Sequence, residues 1–185
     1  MVQHRLRGYL LIEMATAVAV LAILAAVARP DIRPLDDLQA AASAARIATV
    51  LRDARAAAQA SGIVHGVDID LVANSARVFS TDITVSPLDL SATATDPVSK
   101  LTYRLLPGQA GLAARADLIA TGKPFNYVGA GGQDAVLFDG QGLPFWYKPQ
   151  TATRYFLAGS DINVVVGRSR YTVALDALTG RVRVP

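Results

Sequence analysis

The stretch GYLLIEMATAVAVLAILAAVARP, residues 8–30, decides how this chain is organised. Between positions 9 and 28 it contains a single charged residue, Glu13. An α-helix of that length rises about 30 Å, which is the hydrocarbon thickness of a bilayer. Arg5 and Arg7 precede the stretch, and by the positive-inside rule they keep the N-terminus in the cytoplasm. The sequence therefore predicts one transmembrane helix, with everything after it outside the cytoplasm.

Glu13 is the anomaly of this segment, because a carboxylate in the hydrocarbon core costs about 2.5 kcal/mol or more on insertion scales. It is also the only glutamate of the chain. If the chain were cut between Gly8 and Tyr9, the new α-amino group would lie one helical turn before Glu13, on the same face, and would neutralise its charge. In an assembly, the amine of a neighbouring subunit offers a second partner. Either partner explains why the carboxylate is present.

The motif GYLLIE at residues 8–13, after a short basic leader and before an apolar run, resembles the processing site of type IV prepilins and pseudopilins. The resemblance implies that a prepilin peptidase cuts after Gly8 and methylates the new N-terminal Tyr9, where the family usually has phenylalanine. It also implies that Glu13 aids subunit docking. Pro30 matches the proline that breaks the family's long helix.

Two other interpretations of the N-terminus stay open. A secretory signal peptide would be cleaved after the A-x-A site at residues 26–28, but its apolar region usually has about 7 to 15 residues. An uncleaved anchor that does not assemble is the other interpretation. Neither of them explains Glu13.

Composition excludes several classes of protein. The chain has 185 residues, of which 52% are hydrophobic and 18% charged, so it is neither disordered nor collagen-like. Its size suits one globular domain, or one small domain plus an accessory segment. The absence of cysteine excludes disulfide frameworks, thiol nucleophiles and Cys-ligated metal sites. The net charge of +3 falls to +1 (16 minus 15) when Arg5 and Arg7 are left out.

After the apolar segment, Pro30 and Pro34 predict a kink or break near Arg29–Leu35. From Asp36 to Ser61, apolar residues recur every three or four positions, which predicts an amphipathic helix that packs on a sheet and stops at Gly62. Its predicted buried stripe is Ile47, Val50, Leu51, Ala54 and Ala58.

Beyond Gly62 the hydrophobic period changes to two, which predicts strands. The first pair is a hairpin of Val67–Leu71 and Arg77–Phe79 around a turn at Asn74-Ser75. The C-terminus predicts an antiparallel meander. Between the hairpin and the meander we expect a long loop at 80–99, a strand at 101–106, a turn at 129–133, and short strands near 136–138, 145–147 and 155–157. The predicted strands of the meander are 162–166, 170–175 and 181–184.

The predicted fold class is α+β: a long N-terminal transmembrane helix, kinked near Pro30, packed on an antiparallel β-sheet or sandwich domain. The predicted organisation is a cleaved leader at 1–8, the transmembrane and assembly half of helix 1 at 9–28, its amphipathic half at 29–62, and a periplasmic antiparallel β domain at 63–185.

Three further segments narrow the resemblance. The helix end ARAAAQASG (54–62), the strand VHGVDIDL (64–71) and the ending RYTVALDALTGRVRV (170–184) are similar to H-type minor pseudopilins of type II secretion and to FimT-type minor pilins. The resemblance implies a non-enzymatic subunit near the tip of a periplasmic pseudopilus that acts in protein export. It would be a single-pass protein of the inner membrane with its C-terminal domain in the periplasm. Implied partners are the major pseudopilin, other minor pseudopilins, the prepilin peptidase, inner-membrane lipid and secreted protein cargo.

The C-terminal arginines support an alternative function. Gly180-Arg181-Val182-Arg183 matches the G-R-x-R pattern with which FimT-type minor pilins bind DNA for uptake, and Arg168 and Arg170 repeat the spacing after Gly167. Guanidinium groups on one strand face could bridge successive phosphates with salt-sensitive affinity. Alternation along a strand also places such arginines in solvent without any DNA role, so both interpretations stay open.

No catalytic residue, cofactor or metal site is predicted. His65 is the only imidazole after the leader, and no cysteine or glutamate accompanies it. Asp68 and Asp70 share one side of a strand, which is more typical of a solvated face than of a metal site. The cluster Phe145-Trp146-Tyr147 favours packing over a ligand platform. Three loop aspartates lack the spacing of an EF-hand: Asp134, Asp139 and Asp161.

Overall fold

The computed structural model describes residues 3–27, 33–96, 100–106 and 112–185. The chain divides into two compact units, Met1–Ile32 and Arg33–Pro185. The first contains one helix, α1 (Gln3–Val27), whose described side chains, residues 12–24, are all exposed. Among the described residues, no helix has both the length and the apolar character that crossing a bilayer requires. The predicted kink near Pro30 lies outside the described residues.

The second unit begins with helix α2 (Arg33–Ser61). Pro34 lies in its first turn, where the missing backbone N–H has no helical acceptor to lose, so it starts the helix instead of breaking it. The predicted start at Asp36 is therefore too late. Gly62 ends the helix as predicted, with a φ of +69° and its N–H on the carbonyl of Ala58 at 2.9 Å.

The predicted apolar stripe of α2 is confirmed, since Ile47, Val50, Leu51, Ala54 and Ala58 are all buried. Alanines continue the stripe towards the start of the helix, and their small side chains let the backbone lie close to the strands. The opposite face is exposed, including two large apolar side chains near the start, Leu35 and Leu38.

Twelve strands among the described residues form two antiparallel sheets. The strands are β1 His65–Asp70, β2 Ser75–Ser80, β3 Arg104–Leu105, β4 Asp117–Ile119, β5 Phe125–Tyr127, β6 Gly131–Gln133, β7 Ala135–Phe138, β8 Pro144–Lys148, β9 Thr153–Ser160, β10 Ile162–Val166, β11 Ser169–Leu175 and β12 Val182–Arg183. The larger sheet has the order β3-β2-β1-β7-β8-β9-β5-β6, and the smaller has the order β12-β11-β10-β4. Helix α2 packs on strands of both sheets, so the α+β class with a helix on antiparallel sheet is confirmed.

The hairpin and the C-terminal meander are confirmed, and several details of the strands differ from prediction. The hairpin turn is residues 71–74, so Leu71 belongs to the turn and Ser75 to β2. The strand expected at 101–106 is only Arg104–Leu105. β4 and β5 were not predicted, because three residues are too few to display a period. The segment expected as a turn at 129–133 contains β6, whose Gly-Gly-Gln sequence pairs through its backbone with β5.

The loop after β2 covers the face of the larger sheet that points away from α2. Ile83, Leu88 and Leu90 of this loop pack against a second buried cluster. That cluster consists of Phe79, Ala135, Leu137 and Phe145. The predicted long loop at 80–99 thus closes an apolar surface, as far as its described residues 80–96 extend.

Two hydrogen bonds from side chains of α2 hold the loop between β7 and β8. Arg55 donates from Nε to the carbonyl of Gly142 at 3.0 Å, and Gln59 donates from Nε2 to the carbonyl of Gln141 at 3.1 Å. Gly142 has a φ of +77°, and a Cβ atom there would lie 2.6 Å from Nε2 of Gln59. The backbone conformation therefore favours glycine, and a larger residue would displace the Gln59 side chain.

We expect Leu51→Ala to lower the free energy of unfolding by about 2–5 kcal/mol, because Leu51 is fully buried and its truncation leaves a cavity. Leu38→Ala makes the same chemical change on the same helix, but Leu38 is 69% exposed, so a change within about 0.5 kcal/mol is expected. Urea denaturation of the detergent-solubilised chain, followed by tryptophan emission, measures both. Equal losses would contradict the packing of α2 described above.

Candidate functional site

The outer face of the smaller sheet carries the predicted arginines. Along β11, Tyr171, Val173 and Leu175 point towards α2, where the hydroxyl of Tyr171 donates to Asp37 at 3.3 Å. Alternation turns Arg170 to the other side. On β12 the same rule buries Val182 and exposes the arginines on either side of it.

Strand register shows which of these arginines share a surface. Arg170 lies opposite Val165, and Arg183 lies opposite Ala174, so both project from the outer face of the smaller sheet. Arg168 is exposed in the β10–β11 turn. We call Arg168, Arg170, Arg181 and Arg183 the arginine surface. Within the described part of the chain, none of their guanidinium groups forms a hydrogen bond or an ion pair.

Carboxylates interrupt the positive charge of the arginine surface. Asp117 of β4 is paired with Val165 in the same cross-strand row as Arg170. The pKa of Asp161 is lowered by the N–H of Thr121 and, more weakly, by the charge of Arg170. The pKa of Asp176 is lowered by the hydroxyl of Thr179 and, more weakly, by Arg183. The face is therefore a mixed surface on which arginines are the majority.

The predicted assembly residues lie in the first unit. Gly8 and Tyr9 fall within the helical backbone of α1, outside its described side chains. Glu13 is exposed on that helix, next to Ile12 and Met14, each 67% exposed. Among the described residues its carboxylate has no partner. The roles of these three residues in cleavage, methylation and assembly stay predictions.

Asp68 and Asp70 have separate structural partners. Asp68 forms an ion pair at 3.0 Å with Arg77, its cross-strand neighbour on β2. Asp70 accepts hydrogen bonds from the N–H groups of Val72 and Ala73, both at 2.9 Å, and so shapes the hairpin turn. The structure thus uses the two carboxylates for the hairpin.

The three loop aspartates are also engaged separately. Asp134 pairs with Lys123 and Asp139 with Arg154, while Asp161 accepts from the N–H of Thr121 at 2.7 Å. Among the described residues, no three histidine, aspartate or glutamate side chains come close enough to hold a metal ion together.

A half-buried polar pair that the sequence did not reveal joins α2 to residue 103, just before β3. Tyr103 donates its hydroxyl to Asp53, and burial, with help from that hydrogen bond, raises the pKa of Tyr103 far above its usual range. The two residues line a cavity of about 410 Å³ that His65 also lines. The Nδ1 atom of His65 lies 2.9 Å from the carbonyl of Ile63. The pair is separated by 50 residues in sequence, so no local motif could indicate it.

The aromatic cluster divides between two environments. Phe145 is buried, and the guanidinium group of Arg154 lies 4.1 Å above its ring, so the predicted packing role is confirmed for this residue. Trp146 and Tyr147 are half-buried and line a cavity with Tyr155. The nine-residue separation of Trp146 and Tyr155 across a short loop is the sequence signal for this pairing.

The fold is similar to solved structures of two proteins. The type IV minor pilin FimU of Pseudomonas aeruginosa (strain PAO1) is similar with a TM-score of 0.50 and 10% identity, over 84% of this chain and 92% of that one. Two structures of the minor pseudopilin EpsH from the Type 2 Secretion System of Vibrio cholerae have TM-scores of 0.49 and 0.47, both with 14% identity, over 80% of this chain and 96% and 94% of theirs. No protein-family model and no curated protein sequence matches the chain. The similarity to the minor pilin structure shows a pilin-like α+β fold.

The ion pair of Asp139 predicts a pH dependence of stability. Burial alone would raise the pKa of this carboxyl, but the Arg154 guanidinium and the N–H groups of Leu143 and Gln141 outweigh it and lower the pKa below its usual value. A carboxylate with a lowered folded-state pKa stabilises the protein above its unfolded pKa, about 3.9, and loses that contribution as the pH falls through the folded value.

We therefore expect Asp139→Asn to be less stable than the wild type at pH 7 by about 1 kcal/mol, and the difference to shrink below pH ~4. Unfolding by urea at a series of pH values measures it. Arg154→Gln should cause most of the same loss of stability at pH 7. The double variant should be no less stable than either single variant. A constant gap at every pH would contradict the assignment.

Proposed function

We propose that this chain is an H-type minor pseudopilin, a structural subunit near the tip of the periplasmic pseudopilus of a type II protein secretion system. One observation carries the proposal: an α+β domain with the fold of a minor pilin follows the motif GYLLIE at residues 8–13. The fold alone is compatible with other roles, and the motif alone could be a signal sequence. Their occurrence in one chain favours a processed filament subunit.

In this proposal, residues 9–28 insert into the inner membrane and the β domain faces the periplasm. The support is the sequence, with one charge between positions 9 and 28 and basic residues before them. The prepilin peptidase would cut after Gly8 and methylate Tyr9. The freed amine of one subunit would then pair with Glu13 of a neighbour, which removes the cost of an isolated carboxylate in the apolar environment.

The exposed face of α2 supplies a second surface for neighbours. Leu35 and Leu38 are 55% and 69% exposed, and Ala42 and Ala45 continue the same face. These four positions follow the three- and four-residue spacing of a helix–helix seam. A helix of another subunit packed there would cover apolar side chains that the chain's own sheets leave in solvent.

The outer surfaces of the β domain are left for recognition of other minor pseudopilins or of cargo. Subunit assembly requires no catalytic chemistry, and the polar clusters described above are accounted for by structural contacts. The chain would act by shape and position, as a non-enzymatic component.

We expect Glu13→Ala to leave the chain in the membrane fraction and to abolish its incorporation into filaments, because the partner of the amine is lost. Cell fractionation and immunoblotting of sheared filaments measure the two properties. Thr16→Ala is the matched control, since among the described residues the Thr16 hydroxyl hydrogen-bonds only with carbonyls of its own helix, those of Ile12 and Glu13; it should incorporate normally. Normal incorporation of Glu13→Ala would refute the pairing mechanism.

A second candidate function is DNA binding during uptake, as a type IV minor pilin. The specific observation in its favour is the arginine surface, whose guanidinium groups are exposed and unpaired among the described residues. The carboxylates of Asp117, Asp161 and Asp176 at the same face oppose it, since they repel phosphates. This opposition is why we rank DNA binding second.

Fluorescence anisotropy of a labelled DNA duplex with the detergent-solubilised chain, at low and high salt, separates the two functions. For a pseudopilin we expect Arg181→Ala/Arg183→Ala to bind no more weakly than Arg46→Ala/Arg104→Ala, which removes the same charge elsewhere. For a DNA-uptake pilin, only Arg181→Ala/Arg183→Ala would weaken DNA binding. In that variant the magnitude of the slope of log K against log salt would decrease by about 1.8.

A further inference from the structure

Strands β8 and β9 place two aromatic side chains side by side at the surface. Trp146 and Tyr155 are directly opposite in the antiparallel register, so their rings project from the same face of the hairpin. Both are half-buried. They line a cavity of about 380 Å³ together with Tyr147, Lys148 and Gln150.

The cavity is polar as well as aromatic. Within the described residues, no hydrogen bond engages the side chains of Trp146, Tyr147, Tyr155, Lys148 or Gln150. The tyrosines elsewhere in the β domain behave differently. Each donates its hydroxyl to a protein acceptor: Tyr103 to Asp53, Tyr127 to the carbonyl of Ala135, and Tyr171 to Asp37. The donors of this cavity are thus available to a ligand.

The fold holds the cavity wall in place. Tyr127 is buried and packs against Trp146 with ring centroids 6.2 Å apart and an interplanar angle of 40°. Its hydroxyl is fixed on the carbonyl of Ala135 at 3.0 Å. Gly129 closes the other side, where a Cβ atom would lie 3.5 Å from the ring of Tyr155. A ligand would meet rings that are already positioned, which lowers the entropic cost of binding.

We propose that this cavity binds a pyranose unit of an oligosaccharide. A pyranose has an apolar C–H face, which stacks on aromatic rings, and a rim of hydroxyls, which match the indole, phenol and amide groups of Trp146, Tyr155 and Gln150. A volume of about 380 Å³ lies at the small end of ligand pockets, about 300–1,000 Å³, and suits a single ring. Among the described residues, Lys148 is the one charged member of the lining, so a carboxylate on the sugar strengthens binding.

Two other ligands with apolar rings fit less well. Single-stranded nucleic acid needs a basic groove along its backbone beside the stacking platform, and a single lysine does not provide it. A proline-rich peptide lies along an extended groove between aromatic ridges, whereas this cavity is one compartment between the β8–β9 hairpin and the segment around Gly129.

The binding test uses Trp146, which is the only tryptophan of the chain and lies in the cavity wall. The full chain is solubilised in a zwitterionic detergent without a sugar head group, and its emission is recorded during titration. The probes are trigalacturonate, an acidic oligosaccharide, and tri-N-acetylchitotriose, a neutral one. We expect a saturable change with both, with the acidic probe bound about threefold more tightly, as for an exposed ion pair.

Variants locate the binding. Tyr155→Ala should lower the affinity for both probes at least tenfold. Tyr155→Phe keeps the ring and should lower the affinity less. Lys148→Gln should abolish the preference for the acidic probe. Phe156→Ala is the matched control, because Phe156 is the next residue of β9, projects from the opposite face and is 64% exposed; it should bind like the wild type.

Three results would overturn the proposal: no saturable change with either sugar, unchanged binding by both Tyr155→Ala and Gln150→Ala, or a saturable change with decaproline or oligothymidylate in place of the sugars. The readout is independent of filament assembly, so its failure would leave the proposed pseudopilin function untouched.

Discussion

The burial of one apolar stripe of α2 against two sheets at once is the constraint on which the β domain depends. Ile47 and Leu51 are fully buried in the main core, together with strands from the larger sheet and from the smaller one. A helix that packed against one sheet alone would leave the apolar face of the other sheet exposed to solvent. The alanines of the stripe make the double contact possible, because larger side chains would hold the backbone away from the strands.

Several polar contacts of the domain originate on the same helix. Arg52 donates to the carbonyl of Val182 at 3.2 Å, at the edge strand of the smaller sheet, while Arg55 holds the β7–β8 loop through Gly142. These arginines use their long stems to reach backbone carbonyls of an edge strand and of a loop. Helix α2 therefore holds a loop and an edge strand by polar contacts, in addition to its packing in the core.

Assembly and recognition occupy different parts of the chain in the function we propose. In that proposal the N-terminal segment would supply the charge pairing and the apolar surface that hold a filament together. The β domain displays two chemically distinct surfaces, the arginine surface on the smaller sheet and the aromatic cavity on the β8–β9 hairpin. Both surfaces lie outside the N-terminal segment and outside the buried stripe of α2. Substitutions on either surface therefore need not disturb the packing of the domain or the assembly of the filament.

Local sequence by itself determined the apolar N-terminal segment, the amphipathic helix with its stop at Gly62, the first hairpin and the C-terminal meander. These features depend on hydrophobic period and turn chemistry within a few residues. It also determined that Arg170 and Arg183 would face away from the core, since alternation along a strand requires only the strand itself. Only the tertiary structure decided the pairing of Tyr103 with Asp53 and the placement of the segment around Gly129 against the rings of Trp146 and Tyr155. Such contacts arise from packing between elements distant in sequence, and no local pattern encodes which elements will meet.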